Sequence, residues 1–182
     1  MKTETTSSDP GREIPDATRP IDVDALTARR AEIAARYVQP IDDRRPSTTR
    51  GIHHVALLSS DVERTVRFYQ GVLGFPLVEV VENRDYPGST HFFFDVGQGN
   101  LLAFFDFPGL DLSNYAEVLG GLHHLAISIS PTKWAAAKER LAAAGIEHAG
   151  HSEKSLYFPD PDGVRLELIA DPLGELYGTD VL

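Results

Sequence analysis

The chain contains no cysteine. Disulfides, thiolate metal ligands and a cysteine nucleophile are therefore excluded, and any bound metal must be held through nitrogen and oxygen. Positive charge is scarce: seventeen Lys and Arg stand against twenty-seven Asp and Glu, for a formal charge of -10. Basic residues gather in nothing longer than a pair such as Arg44-Arg45. Nucleic acid and anionic membrane are poor partners for such a chain. No stretch reaches the roughly 18 consecutive apolar residues that a membrane span needs. The opening residues MKTETTSSDPGREIPDATRP lack the apolar block of a secretory signal, so a cytoplasmic location is expected. What is present is an ordinary globular composition, 42% hydrophobic over 182 residues, sufficient for one domain with a real core.

Residues 1 to 20 are rich in Ser, Thr, Pro, Asp and Glu and show no hydrophobic period. They read as a tail that cannot offset the entropy of ordering by burial. The next segment, IDVDALTARRAEIAARYV, sets Leu26, Ile33 and Tyr37 on one helical face, with Asp22 or Asp24 as N-cap and Pro40 ending the run. A helix of that kind is expected to pack on its own domain or on a second subunit. The expected division is residues 1–50, tail and helix, followed by one domain over 51–182.

That domain is built on an internal repeat. Residues 51–60 read GIHHVALLSS and residues 121–130 read GLHHLAISIS, so Gly51, His53, His54, Ala56 and Ser60 recur 70 positions on. An amphipathic helical pattern follows each copy and ends at Gly74 and Gly145, where glycine is a usual stop. Short strand-like runs come next: HFFFDV and NLLAFFDF in the first half, SLYF and VRLELI in the second. Each half, 51–110 and 121–171, thus reads as a strand, a helix and two or three strands, with a C-terminal tail after the second. A unit of this size is marginal alone, and pairing two of them buries what each leaves wet. The predicted class is α+β: two tandem βαβββ modules whose sheets form an open, curved barrel around a cleft.

Strand alternation sorts the side chains. His123, Leu125, Ile127 and Ile129 share one face; Leu122, His124, Ala126 and Ser128 share the other. The bulkier set is expected against the helix, which leaves His124 in the cleft beside small neighbours, with His54 beside Ala56 as its repeat. Glu167 lies in the apolar strand VRLELI. An ionised carboxylate buried there needs a compensating cation, because unpaired it costs several kcal/mol. Two imidazoles and one carboxylate form a donor set suited to a divalent first-row metal, and His54, His124 and Glu167 are the expected ligands.

The stretches HHVALLSSDVERTVRFYQGVLGF, GLHHLAISIS and YFPDPDGVRLELI resemble the glyoxalase, bleomycin-resistance and extradiol-dioxygenase superfamily, also called vicinal oxygen chelate (VOC) proteins, over residues 51 to about 171. The resemblance implies the same three ligands, with His53 and His123 in packing or hydrogen-bonding roles. Glyoxalase-like isomerases of that superfamily use a fourth protein ligand, commonly a first-module Glu. Aligning GNLLAFF with GVRLELI sets Ala103 opposite Glu167, so that acid is absent. Two His and one carboxylate with open positions is the constellation of non-haem Fe(II) oxygenases.

The expected activity is accordingly cleavage of a catechol-like aromatic with dioxygen, using one divalent metal, Fe(II) before Mn, Zn or Ni. A proton carrier near the ring is required, and the candidates are His91, His148, His151 and Tyr157, the last standing where related dioxygenases place a Tyr near the ligands. The dense aromatics Phe92, Phe93, Phe94, Phe104, Phe105 and Phe107 are expected mostly in the core, with some lining the cleft. Two other activities are weighed: a Lewis-acid isomerase, lyase or thiol transferase, and a metal-free protein that sequesters an aromatic drug. A homodimer is expected from the resemblance.

Overall fold

The computed structural model describes residues 19–182 except His151. The predicted tail up to residue 18 and the candidate His151 lie outside the described residues. Helix α1 covers Val23–Tyr37; the side chain of Asp22 accepts from the Ala25 amide as its N-cap. It ends at Val38, ahead of Pro40, as the sequence predicts.

The first module runs β1 (His54–Leu58), α2 (Val62–Val66), β2 (Leu77–Glu82), β3 (Thr90–Asp95) and β4 (Leu101–Phe105). Asp61 caps α2 by accepting from the Arg64 amide. From Arg67 to Leu73 the helix widens to π geometry, and Gly74, at φ +79°, ends it in the left-handed conformation that glycine takes without strain. The sheet order is β1-β4-β3-β2, with β1 parallel to β4.

The second module repeats the plan with β5 (Leu125–Ser128), α3 (Pro131–Ala143), β6 (Ala149–Gly150), β7 (Ser155–Pro159) and β8 (Arg165–Ile169), in sheet order β5-β8-β7-β6. Here β5 lies parallel to β8. The C-terminal segment adds a two-stranded hairpin, β9 (Glu175–Leu176) with β10 (Thr179–Asp180). Among the described residues no helix is long and apolar enough to cross a membrane.

The duplication extends to strand register. Ala56 pairs with Ala103, and Ala126 pairs with Glu167. The alignment of Ala103 with Glu167 is thus reproduced in three dimensions. Each module turns one sheet face toward its helix. Phe92, Phe94, Phe104 and Tyr69 are fully buried in the first, and Leu156, Leu166, Leu168 and Leu141 in the second. Burying side chains of this size stabilises by about 1.5–3 kcal/mol each.

The two modules meet through helices and a turn. Tyr69, fully buried, donates to Asp160 across 3.0 Å, and Arg140 of α3 donates to the carbonyls of Val72 and Leu73 at 2.6 and 3.2 Å. Ser60 and Arg64 both bond Asp162. Asp160 itself accepts from the amides of Asp162 and Val164, which closes the PDPDG turn on its own side chain. Burial pushes the Asp160 carboxyl up to about 6, against which these hydrogen bonds pull downward. The His-bearing strands β1 and β5 belong to separate sheets and take no part in these contacts.

Candidate metal centre

Strand β8 delivers Glu167 to the face away from α3, and the residue is 6% exposed. Its neighbours are drawn from the same face of adjacent strands. His124 Nε2 stands 3.1 Å from Glu167 Oε2, and Ser155 Oγ donates to the other carboxylate oxygen. Tyr157 pairs with Glu167 in register, hydrogen-bonds it, and meets the His124 ring edge-on at 5.5 Å. Arg165 lies over the Tyr157 ring at 4.7 Å and reaches Glu117 of the inter-module segment at 3.7 Å.

Each second histidine is oriented by the first. His123 and His124 share an Nδ1···Nδ1 contact of 2.6 Å, and His53 and His54 one of 2.9 Å. One ring of each pair donates and the other accepts. In the structure His124 Nε2 donates to the Glu167 carboxylate; a metal bound there would take the Nε2 lone pair, with the proton moved to Nδ1. Burial holds the His124 imidazole below the usual histidine range, favouring the neutral ring that ligates, while Glu167 pulls the other way. Tyr157, pushed up to about 12 chiefly by burial and then by Glu167, remains a phenol.

The donor pair fits a metal. Bonds of about 2.0–2.2 Å from imidazole nitrogen and carboxylate oxygen, at right angles, set the two atoms about 3 Å apart, close to the observed separation. Among the described residues no three His, Cys, Asp or Glu side chains gather as a metal site. His54 instead lies on the corresponding face of the first module, near Phe93 at 6.5 Å between ring centres.

That first-module face is aromatic. His91 stacks on Phe105 at 3.7 Å and leans on Phe93 at 4.1 Å, while Phe92, Phe94 and Phe104 point into the core. The expected split of the phenylalanines is what the strands produce. His91 Nε2 is buried with no hydrogen-bond partner among the described residues, and desolvation, with His54 nearby, lowers its pKa. His148 engages the Ile146 carbonyl at 2.9 Å, two residues away on the loop before β6. Of the proton-carrier candidates, the structure thus places Tyr157 against the His124–Glu167 pair and His91 on the His54 face.

Three residues around the pair are not singled out by the sequence. Ser155 and Arg165 are accessible to it in principle, since alternation along β7 and β8 places them on the face of Tyr157 and Glu167. Glu117 carries no periodic signal. It sits in the irregular segment between modules, where it faces His123 at 3.8 Å as well as Arg165.

The family model described as the Glyoxalase/Bleomycin resistance protein/Dioxygenase superfamily matches residues 51–168. The chain belongs to that superfamily. One relative is a Bacillus subtilis protein named as a putative ring-cleaving dioxygenase, MhqA, 32% identical over 142 residues, which cover 72% of this chain and 43% of the relative. The chain therefore spans less than half the length of that relative. Another is the metallothiol transferase FosB of Lysinibacillus sphaericus, 26% identical, covering 66% of this chain and 82% of FosB. Among solved structures, a variant of the fosfomycin resistance protein FosX of Listeria monocytogenes, complexed with Mn(II) and a dihydroxypropylphosphonic acid, superposes with a TM-score of 0.54 at 22% identity. It covers 69% of this chain and 96% of FosX, a likeness of fold. Named members of this superfamily are thus metal-dependent enzymes acting on small molecules, by more than one reaction.

Proposed function

We propose that this VOC protein is a metal-dependent oxygenase that opens a catechol-like ring, with Fe(II) held by His124 and Glu167 of one copy and His54 of a second copy. The observation that carries the metal site is the 3.1 Å contact of the half-buried His124 ring with the buried Glu167 carboxylate, a two-donor half-site that no third donor joins among the described residues of its own chain. The repeat places His54 on the equivalent face of the other module, so a two-fold pairing of chains brings unlike modules together and completes two identical sites.

The absence of a first-module acid supports oxygenase over isomerase chemistry. Ala103 is fully buried and occupies the register of Glu167, so no carboxylate is available there to shuttle a proton. The chemistry a bound Fe(II) supplies is chelation of two adjacent oxygens and electron transfer toward dioxygen. The chain's own residues do the rest. Phe93, Phe105 and the His91 ring stacked between them offer aromatic contacts to a substrate ring, and His91 Nε2 is left to a substrate hydroxyl. Tyr157 holds its phenol proton at the Glu167 side, where it can donate to an oxygen of the bound substrate. Ser155 fixes the carboxylate rotamer.

Protein purified and kept anaerobic, then loaded with iron, is expected to take up oxygen with catechols and to lose that activity in air. Absence of oxygen uptake across a catechol panel contradicts the oxygenase assignment. A second reading is favoured by one finding: the match spans most of the length of FosB but under half of the ring-cleaving relative. On that reading the same half-sites hold a Lewis-acid metal for addition of a thiol to a small electrophile. Thiol consumption with fosfomycin, insensitive to air, separates the two.

A further inference from the structure

Helix α1 is formed, capped and bare. None of its fifteen residues is buried, and the stripe made by Val23, Leu26, Ile33 and Tyr37 is exposed by 64, 48, 45 and 66%. An isolated helix of about 15 residues is marginal in water, because most helical stability in proteins comes from packing an amphipathic face. This stripe has the spacing of such a face. Among the described residues the body of its own chain does not cover it, which removes one of the two partners the sequence allows. Residues 1–18 hold Met1 and Ile14 as their only large apolar side chains.

Charge points to what does cover it. Residues 19–50 hold Arg19, Arg29, Arg30, Arg36, Arg44, Arg45 and Arg50 against Asp22, Asp24, Glu32, Asp42 and Asp43, a local excess of positive charge in a chain whose total is -10. Everything after residue 50 is correspondingly acidic, and its exposed apolar side chains stand beside acids: Val78 and Val80 next to Glu79, Leu110 and Leu112 next to Asp111. At the base of the segment, Arg44 bonds the Gln39 carbonyl at 2.7 Å and the Val181 carbonyl, which anchors the arm at one end.

We infer that α1 is an exchange arm that docks its Leu26–Ile33–Tyr37 stripe on the apolar, acidic body of a second copy of this chain. The inference rests on the pairing of copies that the proposed metal site requires, and it names the element that holds the pair together. Arg29 and Arg30, on the same helix as the stripe, meet the acids of that body.

The test is sedimentation equilibrium of the full chain. Wild type is expected to be a dimer, and the Leu26→Glu/Ile33→Glu variant to show a dimer Kd raised about 100-fold with the thermal transition of the body unchanged. Arg29→Glu/Arg30→Glu is expected to weaken the dimer most at low salt. A dimer Kd unmoved by the double variant overturns the inference, as does a wild-type monomer. Because the chain has no cysteine, Tyr37→Cys introduces a single thiol. Ready disulfide cross-linking of two copies through that thiol would show α1 meeting α1 and would also overturn it. So would binding of anionic vesicles or duplex DNA through α1 with no change in dimer Kd. A double variant that stays dimeric and binds metal sinks the arm alone; a wild type whose dimer the variant weakens but which binds no metal sinks the metal reading alone.

Discussion

The two modules share a plan and differ in one decisive pair of positions. In the second, β8 presents Glu167 beside Ala126 and His124; in the first, β4 presents Ala103 beside Ala56 and His54. The second module therefore owns a carboxylate and an imidazole, held by Ser155 and Tyr157. The first owns an imidazole and an aromatic wall. On the proposed function, divergence of one strand between the repeats separates metal holding from substrate contact, and neither module is a complete site. On that proposal a two-fold repeat in sequence yields two unlike halves, each needing the other.

The largest expected effect comes from deleting the carboxylate of the proposed metal-holding half. Glu167→Ala is expected to lower metal affinity by more than about 100-fold, read by competition with a chelating dye, since it removes a ligand and not merely its support. Equipping the other half to match is expected to fail. Ala103→Glu buries a carboxylate at a fully buried position, which costs several kcal/mol without a partner. Its melting temperature should fall steeply in chelator; a variant as stable as wild type would show the first-module face to be more open than its burial indicates. Ser155→Ala is a milder lesion of the second half, expected to cost about 10–100-fold in metal affinity by releasing the Glu167 rotamer, with the fold intact by circular dichroism.

The smallest effect concerns the joint between modules. The folded-state pKa of Asp160, about 6, is raised above its ordinary value, so the protonated carboxyl favours the native state. That stabilisation is fully present below the unfolded value and is lost as pH rises through about 6. Urea unfolding of wild type against Asp160→Asn between pH 4 and 7 should show a difference that changes across this window. A pH-independent difference would mean that Asp160 titrates alike in the folded and unfolded chain.

Much of this is legible in the residues, for local reasons. The His-His pairs 70 positions apart, the Asp61 and Asp22 caps, and the stops at Gly74 and Gly145 are short-range signals, and each marks an element that the structure contains. Alternation along β8 identifies Glu167 as the acid facing away from α3. How the modules meet is not legible. Tyr69 to Asp160 and Arg140 to Leu73 join residues far apart in sequence, and no periodicity announces them. Alternation says which face a side chain takes within a sheet and nothing about where the other sheet lies. Of the three expected ligands, His124 and Glu167 meet on one sheet while His54 lies on the corresponding face of the other. The π turn at Arg67–Leu73 reads in sequence as plain α-helix because a one-residue widening leaves an amphipathic pattern nearly unchanged.

The most direct test of a metal site shared between chains is complementation. His54→Ala and Glu167→Ala chains, each inert alone, are mixed under mild denaturation, allowed to re-pair, and assayed for bound metal. A shared site predicts recovery of about a quarter of the wild-type metal content, because half of the pairs are mixed and each mixed pair regains one intact site of two. No recovery above the separate variants, with mixed pairs demonstrably formed, would contradict the account.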